Sequence, residues 1–146
     1  MGQSVTIACP WGLTSFNEFF TILSGATGAR FSVFDDQIEL VEDVDESKWS
    51  IVLCPFSNEP AVVDEYSSNE DIDLRFRLDL ASLHFYDVRF SHFEVARELL
   101  RLVCEAAVAR SARLWIDTDY GWVIHSADFL QRLRANPAWD WRTLTP

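Results

Sequence analysis

The sequence predicts an α+β fold, in which a mostly antiparallel or mixed sheet of about six to seven strands carries one long and two short helices. Of the 146 residues, 49% are hydrophobic and 14% are aromatic, which is enough to build the core of a single domain over residues 1–146. Short β-prone runs mostly follow one another directly along the chain, as they do in antiparallel sheets. Other segments repeat apolar residues at helical spacing, and these supply the helices.

The N-terminal part predicts one strand and one helix. Residues 4–9 form a β-prone run that stops before Pro10. Thr14 or Ser15 is expected to cap the helix that follows, and the glycines of residues 25–28 to end it. The apolar face of this helix repeats at i, i+3, i+4 and i+7, with Phe16, Phe19, Phe20 and Leu23.

The middle of the chain predicts four strands. Residues 30–34 and 37–41 are separated by an Asp-Asp turn, and residues 49–53 follow as the next strand. Residues 72–80 alternate strictly between apolar and charged side chains, which is typical of a half-buried strand. The loop between these last two strands, at residues 56–68, is long enough to be functional.

The C-terminal part predicts the long helix, a hairpin and a short helix. A capping box that starts at Ser91 begins the long helix, which extends to about residue 110. Residues 113–117 and 122–124 read as a hairpin, and Ser126 is expected to cap the last helix. The predicted core collects the apolar residues of the best-defined elements: Phe16, Phe19, Phe20, Leu74, Phe76, Leu78, Leu99, Val103, Leu114 and Ile116.

Two tryptophans follow the last helix, in the sequence Trp139-Asp140-Trp141-Arg142. They either staple the C-terminal tail to the sheet or present an aromatic binding surface, because tryptophan serves both purposes. The sequence leaves both interpretations open.

The charge distribution predicts a binding surface. The chain has 12 basic and 23 acidic residues, a net charge of −11, which argues against a nucleic-acid partner. Between residues 31 and 73, thirteen carboxylates face one basic residue, Lys48. Aromatic residues interrupt this acidic stretch and could anchor a protein partner, whereas the alternative is solvated charge kept for solubility. The candidate partner-binding residues are Asp35, Asp36, Glu39, Glu42, Asp43, Asp45, Glu46, Trp49, Asp64, Glu65, Tyr66, Glu70 and Asp71.

Catalytic and metal-binding patterns are weak. Asp117 and Asp119 form a D-x-D that could hold a divalent cation in a small enzyme, although Asp119-Tyr120-Gly121 is also ordinary turn chemistry. His84, His92 and His125 are scattered and are interpreted as structural. We therefore expect no catalytic residue, no metal site and no cofactor.

Cysteine use and targeting signals predict a cytoplasmic protein. Cys9, Cys54 and Cys104 form an odd set without a C-x-x-C, so neither a disulfide framework nor a zinc site is indicated, and buried structural thiols are expected. The N-terminus lacks the pattern of a signal peptide, and no apolar stretch is long enough to span a bilayer.

The C-terminal third resembles a family of bacterial binding proteins. Its amphipathic helix contains ARELLRLVCEA, its strand and turn read LWIDTDYG, and its tail reads NPAWDWR. This pattern resembles the small single-domain immunity proteins of bacterial polymorphic and contact-dependent toxin systems.

The resemblance implies a small, acidic, cytoplasmic α+β protein that is not an enzyme and that binds and blocks a cognate toxin domain. The acidic stretch predicts that this toxin is basic, as a nuclease with a cationic cleft would be. Two alternatives remain, a small metal-dependent enzyme using Asp117 and Asp119, and an oligomer-forming structural protein.

Overall fold

The strands and helices follow the predicted α+β pattern. A computed structural model of the chain describes residues 3–34, 36–42, 49–56, 66, 74–118 and 123–142. The strands are β1 (Gln3–Cys9), β2 (Arg30–Val33), β3 (Ile38–Glu42), β4 (Trp49–Phe56), β5 (His84–Phe90), β6 (Trp115–Asp117) and β7 (Val123–His125). The helices are α1 (Asn17–Thr27), α2 (Leu74–Asp79), α3 (Phe93–Ala109) and α4 (Ser126–Ala135). Within the described ranges, no helix combines the length and the apolar character that crossing a membrane requires.

The strands form one seven-stranded sheet with the order β2-β3-β4-β5-β1-β6-β7. Every neighbouring pair is antiparallel. The β2–β3 and β6–β7 hairpins are both present as predicted. In the described part of the chain, β2 and β7 are the two edges, and β5 and β1 lie side by side near the middle.

The main core lies on one face of the sheet, which we call the inner face. Successive side chains of a strand point to opposite faces, so each strand sends every second residue inward, as β1 does with Val5, Ile7 and Cys9. The apolar stripes of α1, α3 and α4 cover these residues. The long helix α3 contributes most, with Val95, Ala96, Leu99, Leu100, Val103, Cys104 and Ala107 all buried.

A smaller core lies on the opposite face of the sheet, the outer face. Ala8, Phe85 and Trp115 point outward from neighbouring strands and are buried beneath Phe76 of α2 and Leu80 and Leu83 just after it. The Phe76 ring lies 5.4 Å from the Trp115 ring, measured between centroids. The middle of the sheet is therefore buried on both faces.

The prediction of a half-buried strand at residues 72–80 is wrong over residues 74–80, and Ile72 and Asp73 lie outside the described residues. Leu74–Asp79 forms α2, followed by a 3₁₀ turn at Leu80–Ser82. A strict alternation of apolar and charged residues also places apolar residues four positions apart, which puts them on one face of a helix. Phe76 and Leu80 lie on such a face and are buried, whereas Leu74 and Leu78 are 57% and 73% exposed. Residues 74–79 contain no β-branched side chain, and Leu and Arg are strong helix formers. The other eight predicted core residues are buried.

The strand that takes the predicted one's place is β5, at His84–Phe90. It pairs with β4 on one side and with β1 on the other. Its neighbouring residues Phe85 and Tyr86 are both buried, one on each face of the sheet. Burial on both faces removes the polar-apolar alternation by which a strand is recognised.

Histidines, not the predicted serines, cap the two C-terminal helices. The Nδ1 atom of His92 accepts the Val95 N–H of α3 at 3.4 Å, and Nδ1 of His125 accepts the Ala127 N–H of α4 at 3.2 Å. The Ser91 hydroxyl instead accepts the Ser50 N–H, at 2.9 Å. No side chain caps the 3₁₀ turn before α1 or α1 itself, so neither Thr14 nor Ser15 acts as a cap. Gly28 ends α1 with a left-handed φ of 73°, which glycine adopts without steric cost.

The tryptophan tail belongs to the core. Trp141 is fully buried and its ring lies 4.5 Å from that of Phe93, between centroids. Trp139 packs edge-on against Phe129 of α4 at 5.2 Å. Arg142 places its guanidinium 4.0 Å from the centre of the Phe93 ring and pairs with Asp140 at 2.6 Å. Of the two interpretations of this tail, the staple is the one that the fold shows.

Candidate protein-binding surface

Five of the thirteen predicted partner-binding residues are in the described part of the chain. They are Asp36, Glu39, Glu42, Trp49 and Tyr66. The other eight, Asp35, Asp43, Asp45, Glu46, Asp64, Glu65, Glu70 and Asp71, lie outside the described residues. The described five divide between three places: the β2–β3 hairpin, the inner face of β4 and the outer cluster.

The β2–β3 hairpin exposes two large apolar side chains at its tip. Val33 is 54% exposed and Phe34 is 50% exposed. The Phe34 N–H donates to the Gln37 carbonyl at 2.8 Å, so a two-residue turn closes the hairpin directly after them. An exposed aromatic side chain next to charged ones can anchor a protein partner, and Val33 extends the apolar surface beside Phe34.

Carboxylates flank these apolar residues. Asp36 is exposed within the turn itself. Glu39 points to the outer face, opposite Ser32 on β2 and Val52 on β4. Glu42 ends β3 opposite Trp49. The described carboxylates of β3 and its turn are therefore spread from the tip of the hairpin to its base, and Glu39 and Glu42 lie on opposite faces of the sheet.

Trp49 points to the inner face of the sheet, where it is not exposed to a partner. It shares the inner face of β4 with Ile51 and Leu53, and it packs against the main core. Its ring lies 5.2 Å from that of His92, between centroids. Trp49 is half-buried, whereas Phe34 is the described aromatic residue that the acidic hairpin exposes.

Tyr66 and Asp117 meet in the outer cluster. The Tyr66 hydroxyl donates to Asp117 Oδ2 at 2.7 Å. Its ring stacks on Phe85, with an interplanar angle of 12°, and contacts the edge of Phe76 at 5.1 Å. Tyr66 therefore packs on the outer face of the sheet, as part of the outer core.

The predicted D-x-D is only partly described. Asp117 lies at the end of β6, and Asp119 lies outside the described residues. No group of three or more His, Cys, Asp or Glu side chains in the described ranges is arranged to hold a metal ion. What the structure shows of Asp117 is a carboxylate hydrogen-bonded to a tyrosine.

The outer face next to the hairpin is polar. Arg89 of β5 pairs with Asp87 through its Nε, at 2.9 Å. The Cys54 Sγ lies 3.7 Å from Gln37 Oε1. Partial burial raises the pKa of the Cys54 thiol, with Arg89 acting in the opposite direction. Together with Glu39 these side chains extend the hairpin surface across β4 and β5.

Sequence reasoning missed the contribution of Val33 and of the sheet edge. Val33 is an ordinary strand residue in the sequence, and its exposure results from its place at the last pair of an edge strand. The available signal was the turn predicted at residues 35 and 36, because connecting segments lie at the protein surface. Arg89, in the strand that was not predicted, could not have been placed on this surface.

No protein-family model, curated protein or solved structure gives a significant match to this chain.

Proposed function

We propose that this protein is an immunity-type binding protein that neutralises a basic bacterial toxin domain by direct contact. The observation that carries the proposal is the β2–β3 hairpin, where the exposed side chains of Val33 and Phe34 lie near Asp36 of the turn, and Glu39 points from the next strand to the outer face. Such a surface combines apolar anchors with the opposite charge to that of a cationic cleft. The proposal further places the protein in the cytoplasm, without a cofactor and without nucleic acid as a partner.

The two chemical components of the hairpin have different roles in this proposal. The side chains of Val33 and Phe34 supply affinity: fully burying an exposed apolar side chain contributes about 1.5–3 kcal/mol, and these two, at 54% and 50% exposed, have about half of that left to gain. The carboxylates supply attraction at long range, which raises the association rate and makes it depend on salt. The excess of acidic residues between positions 31 and 73 extends this field beyond the described residues.

The test pairs the chain with a toxin domain from its own genomic neighbourhood. The domain encoded next to this chain's gene is expressed in a bacterial host with and without the chain, and growth is followed. We expect the domain to stop growth and the chain to restore it. The dissociation constant of the purified pair is then measured by calorimetry.

Two variants with matched chemistry locate the surface. Phe34→Ser removes an exposed apolar side chain from the hairpin, and Leu78→Ser removes one from the exposed side of α2. We expect Phe34→Ser to weaken binding at least tenfold and Leu78→Ser to leave it within a factor of about two. Loss of binding by the α2 variant alone, or a toxic neighbour that the wild-type chain neither binds nor blocks, contradicts the proposal.

A further inference from the structure

We propose that an extended, basic segment of the partner protein pairs with the free edge of β2 and adds a strand to the sheet. The inference rests on the proposed function and specifies how the hairpin surface binds. It assigns the recognition to backbone hydrogen bonds along β2, with the carboxylates of β3 selecting a basic strand. Strand addition to an open sheet edge is a general mode of peptide recognition.

Along the edge of β2 that faces away from β3, the backbone has N–H and C=O groups available for hydrogen bonding. Among the residues that the structure describes, β2 pairs with β3 alone. Residues of an antiparallel pair alternate between hydrogen-bonded and non-hydrogen-bonded positions. The Phe34 N–H to Gln37 carbonyl bond fixes this alternation, so Arg30 and Ser32 bond to β3, whereas Phe31 and Val33 point their N–H and C=O groups away from it.

Space is available along this edge. An open groove of about 630 Å³ runs beside β2 and is lined by Ser24, Arg30, Phe31, Ser32 and Val41. Ser32 and Val33 are exposed, and Phe31 is half-buried against the main core. A strand docked here would bury Val33 and complete the cover over Phe31.

The opposite edge of the sheet is less suited to this role. β7 has three residues, Val123–His125, and α4 starts at the next residue. The Ser126 N–H is bonded to the Leu114 carbonyl at 2.9 Å, in register with the β6–β7 pairs, and the ladder ends where α4 begins. β2 continues at its C-terminal end into the exposed tip of the hairpin, and thus offers the longer edge.

Charge selects a basic segment over a second copy of the chain. Among the described residues, the exposed Arg30 lies at the N-terminal end of β2, and its C-terminal end is next to two carboxylates, Asp36 of the turn and Glu39 of β3. A strand docked on β2 would place its side chains beside them. Two copies joined through β2 would instead bring together chains of net charge −11, which repel one another.

The test changes one backbone N–H and keeps the side chain's bulk. The Val33 N–H points away from β3, so Val33→Pro removes this N–H without removing a β2–β3 hydrogen bond. Proline is tolerated at such positions of an edge strand. Val33→Thr is the matched control, because it keeps the N–H and nearly the same shape. With the neighbouring toxin domain as the probe, we expect the dissociation constant of Val33→Pro to be at least tenfold higher than that of Val33→Thr, which itself binds more weakly than the wild-type chain because a hydroxyl replaces an apolar methyl group.

Amide hydrogen exchange gives a second measurement on the wild-type chain. The N–H groups of Phe31 and Val33 are expected to exchange at least tenfold more slowly in the complex, whereas those of Arg30 and Ser32 change little. Circular dichroism and the melting temperature of Val33→Pro establish that it is folded. Should that variant not fold, the exchange pattern alone decides.

The outcomes separate this inference from the proposed function. If the wild-type chain binds the toxin domain but Val33→Pro binds as well as Val33→Thr, or exchange at Phe31 and Val33 does not slow, strand addition is wrong and the proposed function stands. If the wild-type chain does not bind, both fall. Slow exchange at these two amides in the free chain, together with a dimer mass by light scattering, identifies a second copy as the occupant and overturns the assignment to a basic partner.

Discussion

The centre of the sheet and its β2–β3 end are built from the same kind of antiparallel strand, yet they are buried very differently. In β5 the adjacent residues Phe85 and Tyr86 are both buried, because α3 and α1 cover the inner face and α2 covers the outer one. In β2 only Phe31 packs against the core, and its neighbours are exposed. The centre supplies stability, and the edge is left with surface that the fold does not use.

Thiol chemistry gives the largest expected contrast between these regions. Burial raises the pKa of Cys9, in β1, to about 12 and that of Cys104, in α3, well above the usual range. Cys54 is half-buried on the outer face next to Gln37. Since the thiolate is the reactive form, a disulfide reagent at pH 8 should label Cys54 first. Cys9 and Cys104 should react about a thousandfold more slowly, because the reagent reaches these buried thiols only when the protein unfolds.

The control for the thiol experiment is Cys54→Ala, which should abolish the fast phase and leave the slow one. Two or three thiols reacting together in the native protein would show that the buried thiols of the centre become accessible as easily as Cys54 on the outer face of β4, and the comparison would fail.

The next largest effect concerns the outer cover of the centre. Phe76→Ala should lower the free energy of unfolding by about 3–5 kcal/mol, because it empties a site packed between Tyr66 and Trp115. Leu78→Ala, two residues along the same helix and exposed, should change it by less than about 0.5 kcal/mol. Urea unfolding of both variants measures the difference. Equal losses would mean that the helical phase of α2 is not the one described.

The contrast between Phe76 and Leu78 shows where the sequence was informative. The hairpins, the long helix and the order of the neighbouring elements were predictable, because turn residues and apolar periodicity are local signals. Residues 72–80 satisfied two periods at once, and choosing between them required knowing that β5 occupies the sheet position. That choice depends on tertiary packing, which a local pattern does not contain.

The candidate surface was predictable in its charge and less so in its geometry. The acidic excess between residues 31 and 73 is a matter of counting. Which aromatic residue is exposed near the carboxylates depends on the face of the sheet to which each residue points. Trp49 lies on the inner face, whereas Phe34 is exposed at the turn. The pairing of β2, β3 and β4 sets their register, and the register decides which residues of each strand face the core.

A smaller effect is expected at the link between Tyr66 and the sheet. Tyr66→Phe keeps the ring on Phe85 and removes the hydroxyl that bonds Asp117. A hydrogen bond to a carboxylate that is partly hydrated contributes about 1 kcal/mol to stability. A double-mutant cycle with Asp117→Asn should give a coupling energy of the same order. A coupling near zero would show that this hydrogen bond does not help to hold Tyr66 against the sheet.

The smallest effect on stability is expected at the tip of the hairpin. Val33→Ser and Phe34→Ser should each change the free energy of unfolding by less than about 0.5 kcal/mol, because both side chains are at least half exposed and little apolar area is lost. Urea unfolding of each variant beside the wild-type chain measures this.

This small effect is what distinguishes a binding surface from a structural one. A side chain belongs to a binding surface if its removal leaves the free energy of unfolding unchanged but raises the dissociation constant of the complex at least tenfold. The opposite result, a loss of more than about 1.5 kcal/mol on Phe34→Ser, would show that the ring stabilises the hairpin itself. The edge of the sheet would then be part of the core's support, and the contrast with the centre would no longer indicate where a partner binds.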